Sequence, residues 1–146
     1  MINLAIFNLE YINESLNKSK YVLDQDQIKH DEKQIKLKCN EASKKAYNDM
    51  KNENGHEAFY KKFKSAPTVS KIVYPKNEFG MCWMYLKGFD NNDCANGTNL
   101  DTNDSFIHLQ ELIVDIMNRY KELKDIGYHF SSDDFEGISI HINANR

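Results

Sequence analysis

The sequence predicts an α+β fold, in which N-terminal helices precede a ββαββ unit forming a four-stranded, mainly antiparallel sheet. Three observations carry this. The first Gly is Gly55 and the first Pro is Pro67, so a long opening stretch rich in Lys, Glu, Gln and Leu runs without a helix breaker. Beyond Pro67 come segments rich in β-branched and aromatic residues, which favour strands. Between two pairs of such segments lies the clearest helical period of the chain: Phe106, Leu109, Ile113, Ile116, Tyr120 and Leu123, at spacings of 3, 4, 3, 4 and 3.

Leu9, Ile12, Leu16 and Leu23 recur at helical spacing, although Ile2, Leu4 and Ile6 also alternate as a strand would. Asp24-x-x-Gln27 resembles a capping box and predicts the start of a second helix. That helix would bury a thin stripe of Ile28, Ile35, Cys39, Ala42, Ala46 and Met50. Asn52-Glu53-Asn54-Gly55 stops it, and a short helix over 56–64 places Phe59 and Phe63 one turn apart. A strand follows at 68–74, then the turn residues Pro75-Lys76-Asn77, then a strand at 78–87. The latter carries Phe79, Met81, Trp83 and Tyr85 on one face and Cys82, Met84 and Leu86 on the other, which predicts a central strand buried on both sides. The polar stretch 88–103 is long for a loop within a domain, and such loops are often functional. Asn103 or Asp104 would cap a helix over 104–125, with Leu112 and Met117 widening its stripe and Gly127 closing it. The rest reads as a hairpin, 128–132 against 138–143, about the turn Asp133-Asp134-Phe135-Glu136-Gly137. Facing Phe130 with Ile140, Tyr128 with Ile142 and His129 with His141 gathers the apolar residues on one face. The expected core holds Phe79, Trp83, Phe106, Ile113, Ile116, Phe130 and Ile140. Residues 1–146 read as one domain, with a helical part at 1–66 and the ββαββ part at 67–146, because thin helical stripes need the sheet to fold against.

With 146 residues, 28% of them charged, and only 6 Gly and 2 Pro, the chain is neither collagen-like nor Pro/Gly-rich and disordered. No apolar run approaches the roughly 20 residues of a membrane-spanning helix, and the first residues lack the basic region of a secretory signal. A cytoplasmic protein is expected. The three cysteines, Cys39, Cys82 and Cys94, show no CxxC spacing and read as reduced thiols. Of the 19 basic residues 17 are Lys, and Asn also numbers 17, a bias associated with AT-rich coding sequence such as that of many bacteria and phages.

Charge is divided unevenly. Residues 1–87 carry 15 Lys and 11 acidic residues, a net of +4, whereas 88–146 carry 4 basic and 11 acidic residues, a net of −7, giving the overall −3. No Lys or Arg lies between Lys87 and Arg119. In the expected topology the 88–103 connection and the 133–137 turn share one end of the sheet. Asp90, Asp93, Asp101, Asp104, Asp133, Asp134 and Glu136 then form an acidic rim suited to steering a basic partner. The function expected from this is a small non-enzymatic intracellular binding protein of the inhibitor, immunity or anti-defence kind, whose protein partner has a basic, nucleic-acid-handling surface.

Motifs for catalysis are lacking. There is no phosphate-binding glycine loop, no GxSxG and no HExxH, since His56-Glu57 is followed by Ala58-Phe59-Tyr60. A calcium loop begun at Asn92 would place Cys94 where a hard oxygen is needed, and Asn103 in place of the bidentate Glu. Cys82 in an apolar strand and Cys94 in an acidic loop are poor sites for a thiolate. No catalytic residue, metal or cofactor is therefore expected. Two other readings follow from residue patterns. His129 and His141, facing each other across the hairpin, could serve a metal-dependent enzyme. The Lys-rich helices over 29–64, with Lys61, Lys62 and Lys64 interleaved with Tyr60 and Phe63, could serve a nucleic-acid-binding accessory protein.

Overall fold

The computed structural model describes the backbone of residues 2–76, 81–88, 100–133 and 137–142, and their side chains except at 2–24, 100 and 101. The elements are α1 (Ile2–Met50), α2 (Glu57–Lys62), β1 (Val69–Val73), β2 (Met81–Leu86), α3 (Leu100–Met117), α4 (Lys121–Asp125), β3 (Tyr128–Ser132) and β4 (Ile138–Ile142). The strands form one antiparallel sheet in the order β1-β2-β4-β3. This is the α+β architecture expected from the sequence, with β2 and β4 in the centre. Among the described residues, no helix is long and apolar enough to cross a membrane.

The N-terminal segment corrects one expectation. A single helix of 49 residues replaces the two expected on either side of residue 24. Gln27 does not turn back to cap; its amide donates to Asp31 Oδ2 one turn ahead at 3.0 Å, an ordinary interior pair. With no Gly or Pro nearby, nothing stops the helix from continuing. The expected stripe is buried throughout: Ile28, Ile35, Cys39, Ala42, Ala46 and Met50 are all inaccessible to solvent.

Polar contacts tie α1 to the sheet between Gln25 and Asn40. Gln25 Nε2 donates to the carbonyls of Pro75 and Met81 at 3.2 and 3.3 Å, bracketing the β1–β2 connection. The Tyr128 hydroxyl donates to Asp31 Oδ2 at 2.7 Å and that of Tyr74 to Glu32 Oε2 at 3.0 Å. The backbone N–H of Val69, on edge strand β1, donates to Asn40 Oδ1 at 2.8 Å.

One face of the sheet supplies Ile72, Cys82, Met84, Leu86, Phe130, Ile138, Ile140 and Ile142 to a core shared with α1, α2, α3 and α4. The irregularity between Val69 and Lys71 shifts the phase of β1, which lets Val69 and Ile72, three residues apart, both face inward. Met81, Trp83 and Tyr85, on the opposite face of β2, are only half-buried. The expectation that β2 is buried on both sides, with Trp83 in the core, is thus corrected: the helices cover one face. Ile116 is likewise half-buried against the core, Phe106, Ile113, Phe130 and Ile140 are fully buried, and Phe79 lies outside the described residues.

The helix expected over 104–125 begins earlier, at Leu100, and breaks after Met117. Bonds spanning three residues rather than four, from Arg119 N to Ile116 O and from Tyr120 N to Met117 O, tighten its end. Tyr120 is extended, and the helical course resumes at Lys121 in a phase that still buries Leu123. Gly127 closes α4 with a φ of 92°, as a C′ glycine does. The terminal hairpin has the expected register, with Tyr128 opposite Ile142, His129 opposite His141 and Phe130 opposite Ile140.

Candidate functional site

Because β2 and β3 both run antiparallel to β4, they run parallel to each other. The C-terminal end of β2 and the turn after β3 therefore share one end of the sheet. A Cβ on Gly137 would lie 2.8 Å from Met84 O, which fixes the hairpin turn beside the last residues of β2. The start of α3 belongs to the same end. A Cβ on Gly88, just past β2, would lie 2.9 Å from the Phe63 ring, and that ring lies 5.3 Å, centre to centre, from Phe106 in α3.

Of the seven acidic residues expected at this end, Asp104 and Asp133 are exposed. Asp101 belongs to the first turn of α3, and its side chain lies outside the described residues. Asp90, Asp93, Asp134 and Glu136 lie outside the described residues, as does Cys94. The Asp133 backbone N–H donates to Gly137 O at 3.0 Å, closing the turn.

His129 and His141 face each other as expected, with ring centres 6.4 Å apart. His141 Nε2 lies 3.2 Å from Ser139 Oγ. Burial pushes the His141 pKa down, the neighbouring His129 pushes it further, and Asp133 opposes both. Among the described residues this pair gathers no third metal-binding side chain. The Lys-rich segment has a comparable outcome. Lys61, Lys62 and Lys64 are exposed, but Tyr60 and Phe63 pack against the core. Tyr60 stands edge-on to Tyr47 at 4.9 Å, and Phe63 stacks on Phe59 at 4.8 Å, so these rings face inward rather than toward bases. Burial raises the thiols of Cys39 and Cys82 to about 12, which keeps both protonated at neutral pH.

A cluster that the sequence reading passed over sits where α1, α2 and α3 meet. Glu53, just beyond α1, accepts on Oε2 from His56 Nε2 at 3.0 Å and from His108 Nε2 at 2.9 Å. His56 is the residue before α2 and His108 lies on α3. The two imidazoles stack with centres 5.6 Å apart and planes 7° from parallel. His56 Nδ1 lies 2.7 Å from Ser105 Oγ, and His108 Nδ1 lies 3.9 Å from Glu111 Oε2. The hydrogen bond from His56, aided by the charge and hydrogen bond of His108, holds the Glu53 carboxyl below its ordinary value against the opposing effect of burial. A cavity of about 380 Å³ adjoins the cluster, lined by Lys51, Glu53, His56, Glu57, Tyr60 and Lys61. The local signal was two i, i+3 pairs, Glu53-x-x-His56 and His108-x-x-Glu111; only the packing of α2 on α3 makes them one group. No family model, curated protein or solved structure matches the chain.

Proposed function

We propose that this protein is a small, non-enzymatic, cytoplasmic binding protein whose acidic end engages a basic protein that handles nucleic acid, in the manner of an inhibitor, immunity or anti-defence protein of bacterial or phage origin. The observation that supports this reading is the strand order β1-β2-β4-β3, in which the C-terminal ends of β2 and β3 lie at a common end of the sheet. The residues that follow β2, 88–146, carry a net charge of −7. Exposed carboxylates on two chain segments can present a concerted negative potential, and such a potential accelerates encounter with a basic surface.

The test is capture from a bacterial host lysate at low and high salt, comparing the native chain with a variant carrying Asp90→Lys, Asp93→Lys, Asp133→Lys and Asp134→Lys. The expected outcome is a basic, nucleic-acid-handling protein retained by the native chain at low salt, lost at high salt and absent with the variant. Equal capture of that protein by both chains at low salt overturns the reading.

A further inference from the structure

We propose that Glu53, His56 and His108 bind one divalent transition-metal ion of the zinc class, with a fourth coordination position open to solvent. Two imidazole nitrogens and one carboxylate oxygen are a donor set that zinc accepts in sites keeping an open position. Calcium and magnesium prefer all-oxygen shells. The three ligand atoms lie within 4.8 Å of one another. Tetrahedral zinc, with bonds of about 2.0–2.1 Å, holds its ligand atoms about 3.3 Å apart. Glu53 Oε2 already stands 3.0 and 2.9 Å from the two Nε2 atoms, so these two spacings need to open by only a few tenths of an ångström.

The direction of the donors matters as much as their distance. Both Nε2–H groups converge on one oxygen, and an ion between the three atoms would take the place of those two protons. The opposite nitrogens have partners suited to a metal-bound state. With Nε2 on the ion, His56 Nδ1–H would donate to Ser105 Oγ, a hydroxyl on a residue only 2% exposed. His108 Nδ1–H would point toward Glu111, 3.9 Å away in the present conformation. Outer partners of this kind fix the tautomer and ring orientation of metal-binding histidines. Ser105 and His108 are three residues apart on α3 and so share a helix face.

Access is on one side. The His56 side chain is 14% exposed, whereas those of Glu53 and His108 are 44% and 38% exposed. The fourth ligand would enter from solvent, next to the cavity that Lys51 and Lys61 help line, where a water or a small anion is favoured. The assignment of this site does not rest on the proposed acidic-end interaction, and binding of the ion would join the end of α1, the start of α2 and the face of α3.

The test uses the full chain without a polyhistidine tag, stripped with a chelator, then titrated with zinc by calorimetry and with cobalt(II) by visible absorption. One ion per chain and the d–d bands of a four-coordinate cobalt site are expected. Ser105→Ala should weaken zinc binding by about 10-fold, as loss of an outer partner does, and Glu53→Gln, His56→Ala and His108→Ala should each weaken it more, with circular dichroism unchanged. His141→Ala, at the other histidine pair, should leave affinity unchanged. Absence of saturable binding at one ion per chain overturns the proposal. So does an affinity that a folded His108→Ala variant keeps within twofold, or one that His141→Ala abolishes.

Discussion

Asn118 holds the exposed edge of the sheet. β3 is an edge strand, so alternate backbone groups along its outer side have no neighbouring strand. At Phe130 both are satisfied by one side chain: the Phe130 N–H donates to Asn118 Oδ1 at 2.8 Å, and Asn118 Nδ2 donates to Phe130 O at 2.9 Å. The amide thus stands in for one residue of a fifth strand. It also accounts for the break after α3, because Asn118 sits at the turn that carries the chain from helix to strand. Asn118→Leu keeps the approximate volume and removes both bonds. Each net hydrogen bond contributes about 1 kcal/mol, so the variant should lose about 2 kcal/mol. In a chain of this size that corresponds to a midpoint lower by about 4–8 °C. Urea unfolding should show a lower midpoint with an unchanged slope, and the Phe130 amide should lose protection in hydrogen exchange while core amides keep theirs relative to the global value. A loss below about 0.5 kcal/mol, or unaltered protection at Phe130, would refute this assignment of the edge.

Other substitutions and conditions test the remaining structure. Gly137→Ala must accept a φ of +99° and a Cβ 2.8 Å from Met84 O; it should cost at least about 1–3 kcal/mol, and a urea midpoint equal to that of the native chain would contradict this backbone conformation at Gly137. Phe106→Ala empties a fully buried site between Phe59 and Phe63 and should destabilise by about 3–5 kcal/mol, measured in the same assay against an exposed control such as Lys61→Ala. The His141 pKa is lower in the folded chain than its ordinary 6.5, so the folded state binds fewer protons there than the unfolded state. Its contribution is complete above that ordinary value and is lost as pH falls through the folded one. His141→Gln should flatten this part of the stability profile, and an identical profile in both chains would show that His141 is not its source.

Legibility in the sequence followed the range of the interactions. The hairpin register was readable because alternation admits only one pairing that keeps Tyr128, Phe130, Ile140 and Ile142 together, and the structure has that pairing. The stripe from Ile28 to Met50 was readable for the same kind of reason. The joint at 24–27 was misread because Asp and Gln at that spacing serve both as a cap and as interior helix residues; whether Gln27 turns back or forward depends on a neighbour, Asp31, that also binds Tyr128 from the sheet. The place of Trp83 is not legible in the sequence because both faces of β2 are apolar, and which face the helices cover is decided by elements far away in sequence. The Glu53, His56 and His108 group was invisible for that reason too. His108 reaches Glu53 across 55 residues, through packing of Phe59 and Phe63 on Phe106 that no local pattern specifies.

The two proposed sites are close enough to be coupled. Asp104 is the residue before Ser105, whose hydroxyl contacts His56, so a cation held by Glu53, His56 and His108 would reduce the negative potential at the acidic end. For a partner lysine about 10 Å away, one Debye length at 0.1 M salt, two added charges cost about 0.8 kcal/mol in water before screening and about a third of that after it. Several such lysines would together weaken association by a few-fold, and the effect should vanish near 1 M salt, where the Debye length falls to about 3 Å. Zinc should therefore slow capture of the partner by the native chain at low salt and have no influence on capture by His108→Ala. If zinc binds at this cluster and the partner is captured, yet zinc leaves capture by the native chain unaltered at low salt, then the partner does not approach the end of the sheet at which α3 begins, and the acidic residues of that end are not its contact.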